Sequence, residues 1–561
     1  MLRYYLSARQ ISCMRVLRKQ VAFSKKFSTA EQREGNSYEG YGLCVGIEIH
    51  AQISSKTKLF STASTGFELE KPNRLVAFFD AAVPGTMPRL NKYCVEQAIK
   101  TGIALGGKIN KRSMFERKHY FYPDMPQGYQ ITQQRMPIVS GGRVKIEVPK
   151  SRDNSKRFDV YTKDVGITRI QIEQDSGKSI RDLDPSKIFI DLNRAGCGLM
   201  EIVSEPDMKS SDEAGAFVRK VQAILKRIGT CDGNMEEGNM RCDVNISIFR
   251  EPNPVLDDGD ATPMRGQRVE VKNLNSIKGV QSAIEFEYQR QVQLAMNGTP
   301  IEMHETRGYD ANTGKTLKMR RKEVAADYRF MPEPDLLPLC VGEKTVERLK
   351  EEMPELPDEL RSRLESEYGL SVYESGVLME EEGATSFFEN TVTRLVHERA
   401  QNGLRRAEVA RIVWNWLAND VFGRLKNADI VLVESSSGPL SEEYFVQFIG
   451  LLIDKQISTK TGKDVLDLIF RTNDDNEFAF QSPQKIVELN QWAQVSDIEV
   501  IKKLCHDVVH SSENAKQLDD YLSGKKPKLF GFFVGKALKK SGGKANPTVV
   551  NDVLKDILDG L

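Results

Sequence analysis

Four short stretches of this chain alternate apolar and polar residues, and each carries acidic or metal-binding groups on its polar side. In Val45 to Gln52 the residues Glu48, His50 and Gln52 share one face of a strand. In Arg169 to Glu173 the shared face holds Arg169, Gln171 and Glu173. Arg241, Asp243 and Asn245 line up against Cys242, Val244 and Ile246, and Glu270 and Lys272 oppose Val269 and Val271. Side chains alternate faces along a strand, so each run has one greasy side and one side of hydrogen-bonding and metal-binding groups. Four such runs predict a sheet with a core face and a charged face. That charged face suits a hard cation and phosphate, while a plain half-exposed antiparallel sheet would show the same alternation.

At 561 residues the chain is too long for a single core, so two to four domains are expected. Forty per cent apolar and 28% charged residues make a globular composition, with a net charge of +1. No apolar run is long enough for a spanning helix. The eight cysteines include no Cys-x-x-Cys pair, which fits a reducing compartment and argues against structural zinc or a disulfide framework. The N-terminus differs. Arg3, Arg9, Arg15, Arg18, Lys19, Lys25 and Lys26 precede Glu31, the first acid, with Ser, Leu and Val between them. Such a segment reads as a mitochondrial transit peptide over residues 1–38, a basic arm for nucleic acid being the other reading.

From Gly42 to about Leu337 the pattern is strand-like, with turns rich in Gly, Pro and Asn. Helices are expected over Asn91 to Leu105 and, capped by Ser210 or Ser211, over Ser211 to Ile228. After Pro338 the pattern turns helical, with Thr345 to Tyr368 and Leu404 to Leu425 as periodic segments. The expected fold class is α+β. A largely antiparallel-sheet cradle over residues 39–338 precedes an all-α domain over 339–435 and an α-helical tail domain over 436–561. In the tail, Lys525, Lys526, Lys528, Lys536, Lys539, Lys540 and Lys544 mix with Phe530, Phe532 and Phe533, and Tyr521 to Asn551 contains no acid. That mixture fits docking on a phosphate backbone, though a solvated lysine face is the commoner cause.

Two phosphate-loop lookalikes fail. Ser176-Gly177-Lys178-Ser179 and Thr313-Gly314-Lys315-Thr316 lack the required upstream Gly, since Ile172 and Tyr309 stand there. A nucleotide would therefore be held on the carboxylate-lined sheet through a divalent ion, and Mg²⁺ suits such oxygen donors. No Gly-x-Ser-x-Gly elbow is present, and none of the six histidines sits in a nucleophile pattern. If the reaction needs ammonia or another nucleophile, a partner must make it.

Longer motifs now carry a resemblance. Gly46-Ile47-Glu48-Ile49-His50, Lys118-His119-Tyr120-Phe121-Tyr122-Pro123-Asp124 and Asp191-Leu192-Asn193-Arg194 come first, followed by Glu201-Ile202-Val203-Ser204-Glu205-Pro206-Asp207. Met235-Glu236-Glu237-Gly238, Arg241-Cys242-Asp243-Val244-Asn245, Glu270-Val271-Lys272-Asn273-Leu274-Asn275-Ser276, Glu305-Thr306-Arg307 and Asp327-Tyr328-Arg329-Phe330-Met331-Pro332-Glu333-Pro334-Asp335 continue in order. Together they resemble the GatB family of glutamyl-tRNA(Gln) amidotransferase components over about residues 42–561, including a YqeY-like tail, and with the transit-like N-terminus the chain is similar to its mitochondrial members.

The resemblance implies a ligase component that binds Glu-tRNA(Gln) and ATP with Mg²⁺ and activates the glutamyl γ-carboxylate as an acyl phosphate. Ammonia from an amidase-type (GatA) partner then displaces the phosphate. A small third subunit, a heterotrimer and the mitochondrial matrix are implied with it. Carried onto this chain, the catalytic residues would be Glu48, Glu173, Asp243 and Glu270, and the metal site Glu48, His50, Glu173 and Glu201. Lys118 and Gln174 would lie on the ammonia channel, and Lys536, Lys539, Lys540 and Lys544 would meet tRNA. Two positions depart from relatives. Gln174 stands where many have Glu, and it can hydrogen-bond but carries no charge. Gln171 stands where some have His. The cysteines that bind zinc in some bacterial members are replaced by Phe60-Ser61-Thr62-Ala63-Ser64, so no zinc is expected. A two-metal tRNA nuclease and a non-catalytic tRNA scaffold are the competing classes.

Overall fold

The protein is described from a computed structural model. It covers residues 40–560 apart from 67–70, 151–159, 181–185, 251–263, 300, 302–304, 320–327, 382, 400–402, 404, 429, 431, 433–439, 472–480, 493–497, 524–525, 542–544 and 546. The expected transit segment and Lys544 lie outside the described residues. Two compact units divide at Leu356 and Pro357.

The first unit is built on an 11-stranded sheet. Its principal strands, with two from a smaller sheet, are β1 (Tyr41–Gln52), β2 (Glu116–His119), β3 (Tyr129–Thr132), β4 (Arg143–Pro149), β5 (Val160–Gln174), β6 (Gly198–Ser204), β7 (Met240–Arg250), β8 (Val269–Leu274), β9 (Glu305–Asp310) and β10 (Lys315–Lys318). The order β10-β9-β8-β7-β1-β6-β5 places three of the four alternating runs side by side, with β6 between β1 and β5. Pairing is antiparallel except between β8 and β9, which run parallel. Strands β2 and β3 belong to a separate three-stranded sheet with Met331–Pro332.

The greasy side of each run is the core. Ile47, Ile49 and Ala51 from β1, Ile170 and Ile172 from β5, and Cys242, Val244 and Ile246 from β7 are all within 1% of full burial. Three helices supply apolar partners to the same core: α1 (Lys92–Ala104), α2 (Ser211–Arg227) and α3 (Ile277–Met296). Phe217, Val218 and Val221 on α2 and Val280, Ala283 and Ile284 on α3 belong to it. Each fully buried aliphatic chain contributes roughly 1.5–3 kcal/mol, so a one-residue slip of any central strand would cost several such terms. Local chemistry sets the helix starts. The Asn91, Ser210 and Ser276 side chains accept backbone N–H groups from Tyr93, Glu213 and Gly279.

The second unit holds two apolar clusters, one spanning Leu360 to Val487 and one spanning Ile501 to Leu558. Three expectations shift here. The first unit runs beyond 338 because Leu349, on the helix Glu343–Glu351, is buried in the sheet's core. Thr345 to Tyr368 forms two helices, Glu343–Glu351 and Pro357–Tyr368, because proline disfavours helical geometry in the residue before it and suits a first turn. The limit expected at 435 falls inside the first helical cluster, where Leu432 and Leu440 pack with Phe445 and Phe448. No helix among the described residues is long and apolar enough to cross a membrane.

Candidate active site on the polar face of the sheet

Register decides which polar residues meet. His50 lies opposite Glu201 on β6 and Arg241 on β7, while Glu48 lies opposite Asp243. Glu201 in turn faces Gln171 on β5. Residues directly across antiparallel strands share a face, so all of these line one surface. His50, Glu173 and Glu201 converge closely enough that a ligand atom from each lies within 4.8 Å of the others. His50 Nδ1 is 3.4 Å from Glu173 Oε1, and Nδ1 is buried with no hydrogen-bond partner. His50 Nε2 lies 3.9 Å from Asp243 Oδ2.

The carboxylates are buried, with 2% exposure for Glu173 and 6% for Glu201. Gln171 Nε2 donates to Glu201 Oε2 at 2.7 Å, and the Thr132 hydroxyl donates to Glu173 Oε2 at 3.3 Å. Burial and the neighbouring Glu173 charge raise the Glu201 pKa. Burial works the same way on Glu173, but His50, Lys118 and Arg241 outweigh it and hold that carboxyl below its ordinary value. Burial opposes a charged His50 imidazole, yet Glu173 and Glu201 raise its pKa. Two buried carboxylates and an imidazole therefore form one oxygen- and nitrogen-donor cluster in which no lysine or arginine pairs directly with Glu173 or Glu201 among the described residues. An orphaned buried nitrogen beside two carboxylates fits a divalent cation, and this donor set accepts Mg²⁺ and, with its imidazole, Mn²⁺.

The remaining expected residues divide. Glu48 stands outside the three-residue cluster, and its Oε1 accepts from Asn245 Nδ2 at 3.0 Å. Asp243 is held at both oxygens: Oδ1 accepts the Asn273 N–H at 2.8 Å and Oδ2 lies 3.4 Å from Lys272 Nζ. The same ammonium sits 2.8 Å from Glu270 Oε1. A bulge opposite Cys242 and Val244 produces this arrangement, with Asn273 in the left-handed region at φ 59°. Asn tolerates that conformation better than most side chains, at a cost of order 1–3 kcal/mol.

Lys118 on β2 lies 5.0 Å from the ring centroid of Tyr328 and 5.9 Å from that of Tyr120. Its charge reaches both Glu173 and Glu201. Gln174 is buried, its Nε2 turned toward the Tyr129 carbonyl at 3.5 Å and its Oε1 unpartnered. In the second unit Lys536, Lys539 and Lys540 lie on the helix Phe530–Lys540; Lys540 pairs with Asp507 at 3.6 Å and Lys536 stands over the Phe532 ring at 5.7 Å. Sequence reasoning misses Thr132 as part of the site, and it puts Arg241 and Lys272 on the charged face without giving either a role. Thr132 comes from β3, outside the four alternating runs, so nothing in the sequence places it here.

Comparisons with known proteins give the family. A family model described as the GatB/GatE catalytic domain matches residues 43–347, and one described as the GatB domain matches residues 400–558. The chain belongs to the GatB family. It is 42% identical to the mitochondrial glutamyl-tRNA(Gln) amidotransferase GatB protein of Phytophthora infestans, over 94% of this chain and 96% of that protein. It is 45% identical to the aspartyl/glutamyl-tRNA(Asn/Gln) amidotransferase GatB protein of Rickettsia felis, over 94% and 99%. The Rickettsia canadensis protein of the same name is 45% identical over 92% and 97%. As a GatB protein the chain is one component of a multi-subunit amidotransferase, of the ligase class. The α+β reading and the family resemblance both hold, and a tRNA nuclease is set aside by the family.

Proposed function

We propose that this chain converts the glutamyl group of misacylated Glu-tRNA(Gln) to glutaminyl, using ATP and ammonia delivered by an amidase-type partner. The observation that carries the reading is the buried His50, Glu173 and Glu201 cluster on the charged face of the sheet in a GatB chain. The name of the Phytophthora relative supports the substrate. A γ-carboxylate oxygen attacks the terminal phosphorus of ATP, the bond to the bridging oxygen breaks, and ADP leaves. Ammonia nitrogen then attacks the acyl carbon, phosphate departs with the C–O bonding pair, and the nitrogen loses a proton.

His50, Glu173 and Glu201 would hold Mg²⁺, which when bound offsets repulsion between the carboxylate and the ATP phosphates. Lys272 and Arg241 add fixed positive charge on the same face, where a preorganised cation costs no reorganisation during reaction. Lys118, over its tyrosine rings, and Gln174, with a free buried oxygen, line the approach proposed for ammonia. The Phe530–Lys540 helix offers its lysines to the tRNA backbone. A heterotrimer with a small third subunit, a Mg²⁺ cofactor, a cleaved segment over residues 1–38 and a matrix location complete the proposal.

The test assembles the heterotrimer without glutamine and supplies ammonium, ATP-Mg²⁺ and Glu-tRNA(Gln), with Asp-tRNA(Asn) in parallel. Wild type should form Gln-tRNA, and Glu201→Gln should form almost none. Equal product from both would make the cluster structural. Bound tRNA with no product from wild type would support a scaffold instead.

A further inference from the structure

We infer that Gln171 is a positioning residue that orients both carboxylates of the cluster at once. This rests on reading the cluster as a cation site. A primary amide has two N–H groups, and Gln171 Nε2 spends them on different members of one network. One goes to Glu201 Oε2 at 2.7 Å and the other to Thr132 Oγ1 at 3.2 Å. The Thr132 hydroxyl keeps one hydrogen of its own, which it gives to Glu173 Oε2 at 3.3 Å. A single side chain thus fixes Glu201 directly and Glu173 through one relay. The oxygen held on each carboxylate is Oε2, and Glu173 Oε1 is left facing His50 Nδ1 at 3.4 Å.

The amide cannot serve in its flipped orientation. Arg169 Nε lies 2.8 Å from Gln171 Oε1, and a guanidinium only donates. Oxygen must therefore face Arg169, and the NH₂ must face the carboxylates. Gln171 is only 2% exposed, so water offers little competition for these bonds. The choice of a neutral donor also matters. A lysine at this point would pair with the two carboxylates as Lys272 pairs with Asp243 and Glu270, and would discharge the site. Glutamine supplies direction without charge, so the cluster keeps its attraction for a cation while its oxygens stay aimed.

The test is Mn²⁺ titration of the full-length protein without ATP, read by electron paramagnetic resonance of the free ion. Gln171→Met keeps the buried volume and removes both donors. It should weaken Mn²⁺ binding about 10- to 100-fold, the usual effect of losing a group that orients a ligand. Thr132→Val, which cuts only the branch to Glu173, should weaken it less, and Arg169→Met should fall between the two. Gln171→His keeps an N–H donor and should restore most of the affinity lost in Gln171→Met. A merely structural role would instead lower the melting temperature in all four variants and leave Mn²⁺ affinity unchanged in those that fold.

Folded Gln171→Met that binds Mn²⁺ as tightly as wild type overturns the inference. If Gln171→Met does not fold, wild-type affinity in both Thr132→Val and Arg169→Met overturns it equally. Wild type that binds no Mn²⁺ fails at the earlier step, since the cluster is then no cation site and there is nothing for the amide to aim.

Discussion

The two ends of the charged face use the same residue types to opposite effect. At one end Glu173 and Glu201 are buried, and among the described residues neither has a lysine or arginine within ion-pair distance. At the other end Asp243 and Glu270 share one ammonium, Lys272, at 3.4 and 2.8 Å. Burial penalises charge, and at the first end His50, Lys118 and Arg241 offset it at Glu173 but not at Glu201, whereas the second end has an ammonium in direct contact. A carboxylate on the sheet face is therefore not by itself a metal ligand. What separates the two ends is whether a lysine pairs directly with the carboxylates.

Breaking the first end should have the largest effect. Glu173→Gln should cut both Mn²⁺ affinity and ammonium-dependent Gln-tRNA formation by more than about a hundredfold, beyond what losing an orienting group costs. Metal titration and single-turnover transfer assays check it. Lys272→Met tests the second end from the other direction. It strips the counter-charge from Asp243 and Glu270, should cost roughly 1–3 kcal/mol of stability in chemical denaturation, and should create a second, weak Mn²⁺ site. No new site would mean that position on the face, not counter-charge, distinguishes the ends.

A smaller effect separates stability from the site. Glu213 on α2 accepts from Lys163 at 2.7 Å, Tyr161 at 2.9 Å and the Lys209 N–H at 2.6 Å. Its burial is outweighed by these donors, and its pKa is lowered. A carboxyl with a depressed folded pKa stabilises the fold above its unfolded value of about 4.3, and that contribution is lost as pH falls through the folded value. Glu213→Gln should therefore be destabilised by about 1–2 kcal/mol at pH 7, with the deficit shrinking below about pH 4 and Mn²⁺ affinity unchanged. Denaturation measured across pH reads the first part, and a deficit constant with pH would show that the ionised form is not what matters.

Much of the fold was legible because alternation is a local signal. The strands at Val45 to Gln52 and Arg241 to Ile246, the core role of Cys242, and the cap at Ser210 all follow from short-range chemistry. Which carboxylates meet was available only through the family resemblance, which grouped Glu48, His50, Glu173 and Glu201; the alternation itself does not give it, because it depends on register between distant strands. His50 falls opposite Glu201, whereas Glu48, two residues earlier, falls opposite Val203 and outside the cluster. The bulge that gives Lys272 and Asn273 to Asp243 is also a pairing property, invisible in Val269 to Leu274 taken alone. Gln171 lay in plain view on the right face, but its partners Thr132 and Glu201 are brought to it only by β3 and β6.

The most direct test of the contrast is a parallel Mn²⁺ titration of full-length Glu201→Gln and Glu270→Gln. Loss of high-affinity binding in Glu201→Gln with near-wild-type binding in Glu270→Gln is the predicted result. Retained binding in Glu201→Gln together with loss in Glu270→Gln would place the cation at the lysine-paired end and contradict the account.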